Sequence, residues 1–309
     1  MSIFSISVVI PLYNEENIFP QLIERLLPVI TQFPQQVQVV LVNDGSTDKT
    51  PALMQTLSER DPRFKAVFLS RNFGHQQAVS AGLQFADATE AILVMDGDLQ
   101  DPPELIYAFY DKIKEGYDVV YAIRRKRKEG LLYRVLFWSY YRIQKMVSNF
   151  DIPIDSGDFC MMRKRIKDVL IAMPEENRYL RGMRAWAGFK QVGFPYDRDA
   201  RFAGHSNYGF KKLTALALNG IFNFSRAPIK FMYTMGTFSI LLAFAYILFL
   251  LWLKLSAHPL PQGYVTLIFA ISFFSGIQLI TLGLIGEYVY RIYGQVRKRP
   301  LFLIDKIIN

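Results

Sequence analysis

Two stretches of this 309-residue chain, 231–253 and 264–286, contain no charged side chain at all. Each is 23 residues long, and at about 1.5 Å of rise per residue a helix of that length crosses a hydrocarbon core of about 30 Å. Helices at the core of soluble proteins rarely run so far without a charge, so the pattern predicts a membrane hairpin turning at 254–263. Charge placement orients it. The turn holds only Lys254, whereas Arg226 and Lys230 precede the first stretch and Arg291, Arg297, Lys298, Arg299 and Lys306 follow the second. The positive-inside rule then puts both flanks in the cytoplasm. Residues 1–10 carry no basic leader and too short an apolar run for a signal peptide, so the N-terminal part is expected to stay in the cytoplasm as well.

The rest of the chain reads differently. Short β-branched runs at 6–10, 37–42, 65–69, 91–95 and 117–122 alternate with helix-like segments, the rhythm of a parallel α/β sheet covered by helices. This predicts an α/β catalytic domain over 1–225 and a membrane domain with a basic tail over 226–309. Between them, 133–150 and 208–226 mix bulky apolar residues with Arg134, Arg142, Lys145, Lys211, Lys212 and Arg226. That composition suits amphipathic helices lying in the headgroup plane, with core-facing helices of the catalytic domain as the alternative.

Composition narrows the chemistry. One cysteine, Cys160, excludes a disulfide framework, and the three histidines (His75, His205, His258) lack zinc-site spacing, so any metal must be held by oxygen. The net charge of +9 fits anionic lipid and phosphorylated substrates, and no stacking module or zinc finger supports a nucleic-acid partner. Neither G-x-G-x-x-G nor G-x-x-x-x-G-K-[ST] occurs, which argues against a dinucleotide oxidoreductase and a P-loop ATPase.

In open α/β sheets ligands bind at the carboxyl ends of the strands. Three predicted strands end there in polar or acidic loops: Pro11-Leu12-Tyr13-Asn14-Glu15-Glu16, Asn43-Asp44-Gly45-Ser46-Thr47-Asp48, and Asp96-Gly97-Asp98-Leu99-Gln100-Asp101-Pro102-Pro103. Asp96 and Asp98, with a glycine between them, can hold Mg²⁺ or Mn²⁺ while leaving positions for a diphosphate, and Gln100 can add a neutral oxygen. Ser46 or Thr47 can cap a helix beginning near Lys49, and Asp44 can accept hydrogen bonds from a base or ribose. The basic candidates for a diphosphate are Arg71, Arg124, Arg125, Arg134, Arg201 and Lys211.

Together with Leu69-Ser70-Arg71-Asn72-Phe73-Gly74 and Arg178-Tyr179-Leu180-Arg181-Gly182, these loops resemble the family-two inverting glycosyltransferases of the dolichol-phosphate mannose synthase group. With the paired apolar stretches, the chain most resembles the bacterial bactoprenol glucosyl transferase (GtrB-like) branch. The resemblance spans nearly the whole chain. It implies a GT-A fold, a UDP-sugar donor with glucose foremost and mannose, galactose or aminoarabinose as alternatives, Mg²⁺ or Mn²⁺, a polyisoprenyl phosphate acceptor, and a multi-pass place in the cell inner membrane with the catalytic domain cytoplasmic; a non-catalytic membrane scaffold that keeps the fold is the alternative from another class. It also implies that Pro11, Tyr13, Glu15, Asp44 and Asp96 line the nucleotide and that Asp98 and Gln100 hold the metal. Arg124, Arg134 and Arg201 become the phosphate and acceptor ligands, with Lys211 as a further one. Asp158 sits where related enzymes keep a catalytic base. A homo-oligomer, a flippase and a downstream glycosyltransferase stay open as partners. The processive motif Gln-x-x-Arg-Trp has no match in Arg181-Gly182-Met183-Arg184-Ala185-Trp186, so one sugar per acceptor is expected.

A lipid phosphate is already an anion at neutral pH, so unlike a sugar hydroxyl it needs no general base to attack. Its obstacle is repulsion from the donor diphosphate, which arginines and a metal relieve. On this reading Arg134 and Arg201 carry catalysis and the role of Asp158 is the open question.

Overall fold

A computed structural model describes residues 4–124, 156–176, 178–197, 227–256 and 263–309. The described residues up to 197 and Pro300–Asn309 form one compact unit, and those from 227 to Arg299 form a second.

The first unit is built on an eight-stranded mixed sheet. Its heart is β1 (Ile6–Leu12), β2 (Val37–Asn43), β3 (Phe64–Leu69) and β4 (Ala91–Val94), parallel to one another in the order β4-β1-β2-β3. β1, β2 and β4 are buried at every residue. Strands covered on both faces need apolar side chains throughout, which is why these runs are continuous and not alternating. The covering helices are α1 (Phe19–Gln32), α2 (Thr50–Arg60), α3 (His75–Phe85) and α4 (Leu105–Lys114). In α1 the buried residues Phe19, Leu22, Ile23, Leu26, Val29 and Ile30 recur at helical spacing and make one apolar face. Full burial of each such side chain is worth about 1.5–3 kcal/mol.

The flank beyond β4 changes direction. β6 (Ser156–Arg163) runs antiparallel to both β4 and β5 (Val119–Arg124), and β7 (Gln191–Tyr196) pairs parallel with β5 at the edge. An aromatic seam fastens this flank to α4. Phe109 lies 5.1 Å from Phe159 and 5.5 Å from Phe194 by ring centroids, and Phe159 lies 5.8 Å from Tyr196. Because β6 is reversed, its first residues stand at the edge where β1, β2, β3 and β4 end, which brings Asp158 to the acidic loops. Short helices α5 (Lys164–Ala172) and α6 (Leu180–Trp186) follow β6. β6 and β7 were not among the expected strands.

The opposite edge carries a larger departure from expectation. β8 (Ile304–Ile308), within what reads in sequence as a basic tail, pairs antiparallel with β3 and completes the sheet. Lys306 explains part of the docking. Its ammonium donates to Gln55 Oε1 at 2.7 Å and sits 4.6 Å from the centre of the Phe68 ring.

The second unit holds two long helices, α7 (Ala227–Leu255) and α8 (Tyr264–Arg297). Their candidate membrane spans, Phe231–Leu255 and Thr266–Arg297, are only 6% and 0% buried within the protein. Tyr233, Ile240, Leu279 and Leu282 are among many large apolar side chains left bare, a surface far too apolar for water. α8 continues well past residue 286, where the charge-free stretch ends, because an i,i+4 pair between Glu287 and Arg291 at 2.7 Å supports its next turn. The expected interface helices at 133–150 and 208–226 lie outside the described residues.

Candidate active site

The loops that follow β1 and β2 are knitted into one body. Asn14, in the left-handed region at φ 56°, donates its amide to Ser46 Oγ at 3.0 Å while its own Oδ1 accepts from the Thr47 amide at 2.8 Å. The Glu15 amide donates to Thr50 Oγ1 at 2.9 Å, the Glu16 amide donates to Asp48 Oδ2, and the Lys49 amide donates to Glu16 Oε2, the last two each 3.0 Å. These contacts correct the expected cap of α2. Asp48 Oδ1 takes the Thr50 amide at 2.9 Å, since Ser46 and Thr47 are already spent on Asn14. Pro11 is buried at the end of β1, whereas the Tyr13 ring stands 47% exposed beside it.

The loop after β3 is drawn onto that body by Asp44. Its buried carboxylate accepts the Phe73 amide at 2.7 Å and the Gly74 amide at 3.0 Å. Burial pushes the Asp44 carboxyl up from its ordinary range in spite of both bonds. Gly45, at φ 67°, leaves no room for a side chain: a Cβ there would lie 2.4 Å from the Arg71 carbonyl carbon and the Asn72 nitrogen. Asp44 therefore acts first on its neighbours' backbone. Arg71 is exposed, with its guanidinium 4.1 Å above the Phe73 ring.

The acidic loop after β4 is pressed just as tightly. A Cβ on Gly97 would lie 2.5 Å from Leu12 Cδ2, so any larger residue between the two aspartates requires the Leu12 side chain to shift. Leu99 sits at φ 57°, a costly conformation for a bulky residue and one found where a site over-determines its backbone. Asp98 Oδ1 accepts the Gln100 amide at 3.1 Å. The next residue, Asp101, is buried and accepts the Tyr196 hydroxyl from β7, tying the loop to the antiparallel flank. Among the described residues no cluster of three or more His, Cys, Asp or Glu side chains has metal-holding geometry. The donor set fits a hard cation in another way: Mg²⁺ is commonly bound by one or two carboxylates together with substrate phosphates, and Asp96, Asp98 and Gln100 offer only oxygen.

Asp158 occupies a different setting. Arg181 of α6 grips it with both ends of the guanidinium, Nε to Oδ1 at 2.8 Å and Nη2 to Oδ2 at 3.2 Å. Gln76 donates to Oδ2 at 3.2 Å and with its own oxygen accepts the Leu180 amide at 2.9 Å. One carboxylate thus binds β6, α3 and α6. Burial alone would raise the Asp158 carboxyl, but Arg181 and His75 outweigh it and hold the group well below the usual carboxylate range. His75 Nε2 lies 3.6 Å from both Asp96 and Asp158. Burial would lower the imidazole, yet these two carboxylates push its pKa up to about 9.

The structure thus brings Pro11, Tyr13, Glu15, Asp44, Arg71, Asp96, Asp98, Gln100 and Asp158 to one edge of the sheet. Arg134, Arg201 and Lys211 lie outside the described residues, and of Arg124 only its place at the end of β5 is described. Sequence reasoning missed His75, Gln76 and Arg181. The signal available was their position, since His75 and Gln76 follow the Phe73-Gly74 loop directly and Arg181 lies within the run Arg178-Tyr179-Leu180-Arg181-Gly182.

Comparison with known proteins identifies the family. Residues 7–170 match the family model "Glycosyl transferase family 2". The glycosyltransferase YkcC of Bacillus subtilis (strain 168) is 42% identical, over 97% of this chain and 93% of its own. The bactoprenol glucosyl transferase of Shigella phage SfII is 34% identical, over 97% of each chain. Among solved structures, Staphylococcus aureus TarS 1–349 in complex with UDP-GlcNAc overlays with a TM-score of 0.49 at 21% identity, over 71% of this chain and 67% of that one. With the family model covering more than half of the chain and relatives matching nearly end to end, this protein is a glycosyltransferase of family 2, with a GT-A-like domain followed by two candidate membrane helices.

Proposed function

We propose that this glycosyltransferase moves one glucose from UDP-glucose onto a polyisoprenyl phosphate such as undecaprenyl phosphate, with inversion, at the cytoplasmic face of the inner membrane. The observation that carries the reading is the state of Asp158. A hydroxyl acceptor needs a protein base, and a carboxylate gripped by Arg181 and Gln76 and held well below its usual range is a poor one. A phosphate monoester, with a second pKa of about 6, arrives ionised. The names of several relatives, among them the phage bactoprenol glucosyl transferases at 34% identity, support the same acceptor and sugar.

In this mechanism the loops after β1 and β2 hold the nucleotide, with Tyr13 and Arg71 exposed beside it. Asp96, Asp98 and Gln100 would hold Mg²⁺ or Mn²⁺, which would supply positive charge to offset that developing on the departing UDP. Arg124, Arg134, Arg201 and Lys211 are assigned to the acceptor phosphate, which guanidinium groups pair bidentately. The placement of β8 supports the topology: residues 304–308 belong to the same sheet as β1, so any membrane between them is crossed an even number of times.

The test is transfer by the purified full-length protein in detergent, given a panel of labelled nucleotide sugars with undecaprenyl phosphate or with undecaprenol. The expected result is one glucose per lipid phosphate and none on the alcohol. Transfer to the alcohol, or from every donor except UDP-glucose, would overturn the reading.

A further inference from the structure

We propose that the C-terminal strand β8 is a working part of the donor site, acting as a positioning element for the loop 70–74. β8 is an added edge strand, and such a strand ordinarily does no more than cover unpaired backbone. Three observations give it a second role.

First, its pairing covers β3 from Ala66 onward and runs off its end. Ala66, Val67, Phe68 and Leu69 pair with Ile308, Ile307, Lys306 and Ile304, and beyond them the Ser70 amide donates to the Leu303 carbonyl at 3.0 Å. The last bond belongs to the loop and not to the strand. Second, the register shifts between Phe68 and Leu69, so that Asp305 is an extra residue on the β8 side. Such a bulge bends its strand and re-aims the residues beyond it, and this one lies where β3 gives way to the loop. Third, the loop so held is the one on which the site depends. Arg71 and Asn72 press against Gly45, Phe73 and Gly74 donate to Asp44, and His75 and Gln76 reach Asp96 and Asp158. The backbone from Ser70 to Gly74 is therefore fixed at one end by β8 and at the other by Asp44.

The proposal rests on the reading of this edge as the donor site. If undocking β8 leaves the loop in its competent arrangement only a tenth of the time, the apparent donor affinity falls by about tenfold.

The experiment uses the protein in lipid nanodiscs with Mn²⁺, and UDP is added only for the affinity measurement. Two variants are compared with wild type: truncation after Pro300, which removes the strand, and Lys306→Ala with Ile308→Ala, which weakens its docking in an intact chain. Two quantities are read, amide exchange of residues 70–76 and UDP affinity by calorimetry, with a synthetic peptide of residues 301–309 added back to the truncated protein. We expect faster exchange at 70–76 and about tenfold weaker UDP binding, both reversed by the peptide. Unchanged exchange at 70–76 in a variant whose strand is gone or has itself become exchangeable would overturn the proposal. Failure of wild type to bind UDP would strike the donor reading instead, because the exchange measurement tests the loop without donor. A truncated protein that does not fold leaves the decision to the double variant, read in the same way.

Discussion

The carboxylates of the loop after β4 and the carboxylate at the start of β6 stand on the same edge of one sheet and are held in opposite ways. Asp98 is half-buried on a loop whose shape comes from its own backbone, through the Gln100 amide and the close seat of Gly97 against Leu12. Asp158 is clamped from two other elements, by Arg181 and Gln76. On the proposed function the same functional group serves a ligand in the first place and the fold in the second.

The largest effect expected from this contrast is on turnover. Asp98→Asn should cost about a thousandfold in kcat/KM, roughly 4 kcal/mol of transition-state stabilisation, with the thermal unfolding midpoint unchanged. Equal losses of activity and stability would place Asp98 in the fold, beside Asp158.

The next effect is on stability. Asp158→Ala leaves the Arg181 guanidinium without its carboxylate and should destabilise the catalytic unit by about 3 kcal/mol, whereas Asp158→Asn should stay within about tenfold of wild-type turnover at every pH from 6 to 9. Loss of turnover in the asparagine variant, with normal binding of both substrates, would return Asp158 to the role of base.

How much of this could be read from the sequence depends on what each segment packs against. β1 to β4 were legible because strands buried on both faces are near-continuous apolar runs, and the motif loops sit at their ends. β6, Ser-Gly-Asp-Phe-Cys-Met-Met-Arg, contains no β-branched residue and is a strand because β4 and β5 flank it. β7 carries Gly193 and Pro195, both strand breakers, and survives at the edge where a missing amide is tolerated. The acidic loop after β4 was legible as a local pattern, Asp96-Gly97-Asp98. The bracket around Asp158 was not, because Gln76 lies 82 residues away and Arg181 lies 23 residues away. No periodicity links such partners before the sheet brings them together.

The smallest effect separates the two carboxylate settings by acid titration. The folded Asp158 carboxyl lies below its unfolded value of about 3.9, so its contribution to stability is complete above that value and is lost as pH falls through the folded one. Thermal unfolding followed from pH 6 down to pH 3 should fall more steeply for wild type than for Asp158→Asn. Parallel curves would mean that the ion pair adds nothing to the native state.

The position of β8 in the chain has a consequence for biosynthesis. At about 5–20 residues per second, the ribosome takes on the order of 10 to 50 s to pass from the end of β3 to β8. Throughout that interval the β3 edge has no partner from its own chain, and both apolar helices emerge before one arrives. The sheet is sealed last, by residues that trail the two candidate membrane helices. A polypeptide stalled before residue 304 therefore keeps an open edge, and only a chain whose two long helices have been translated gains the strand that closes it.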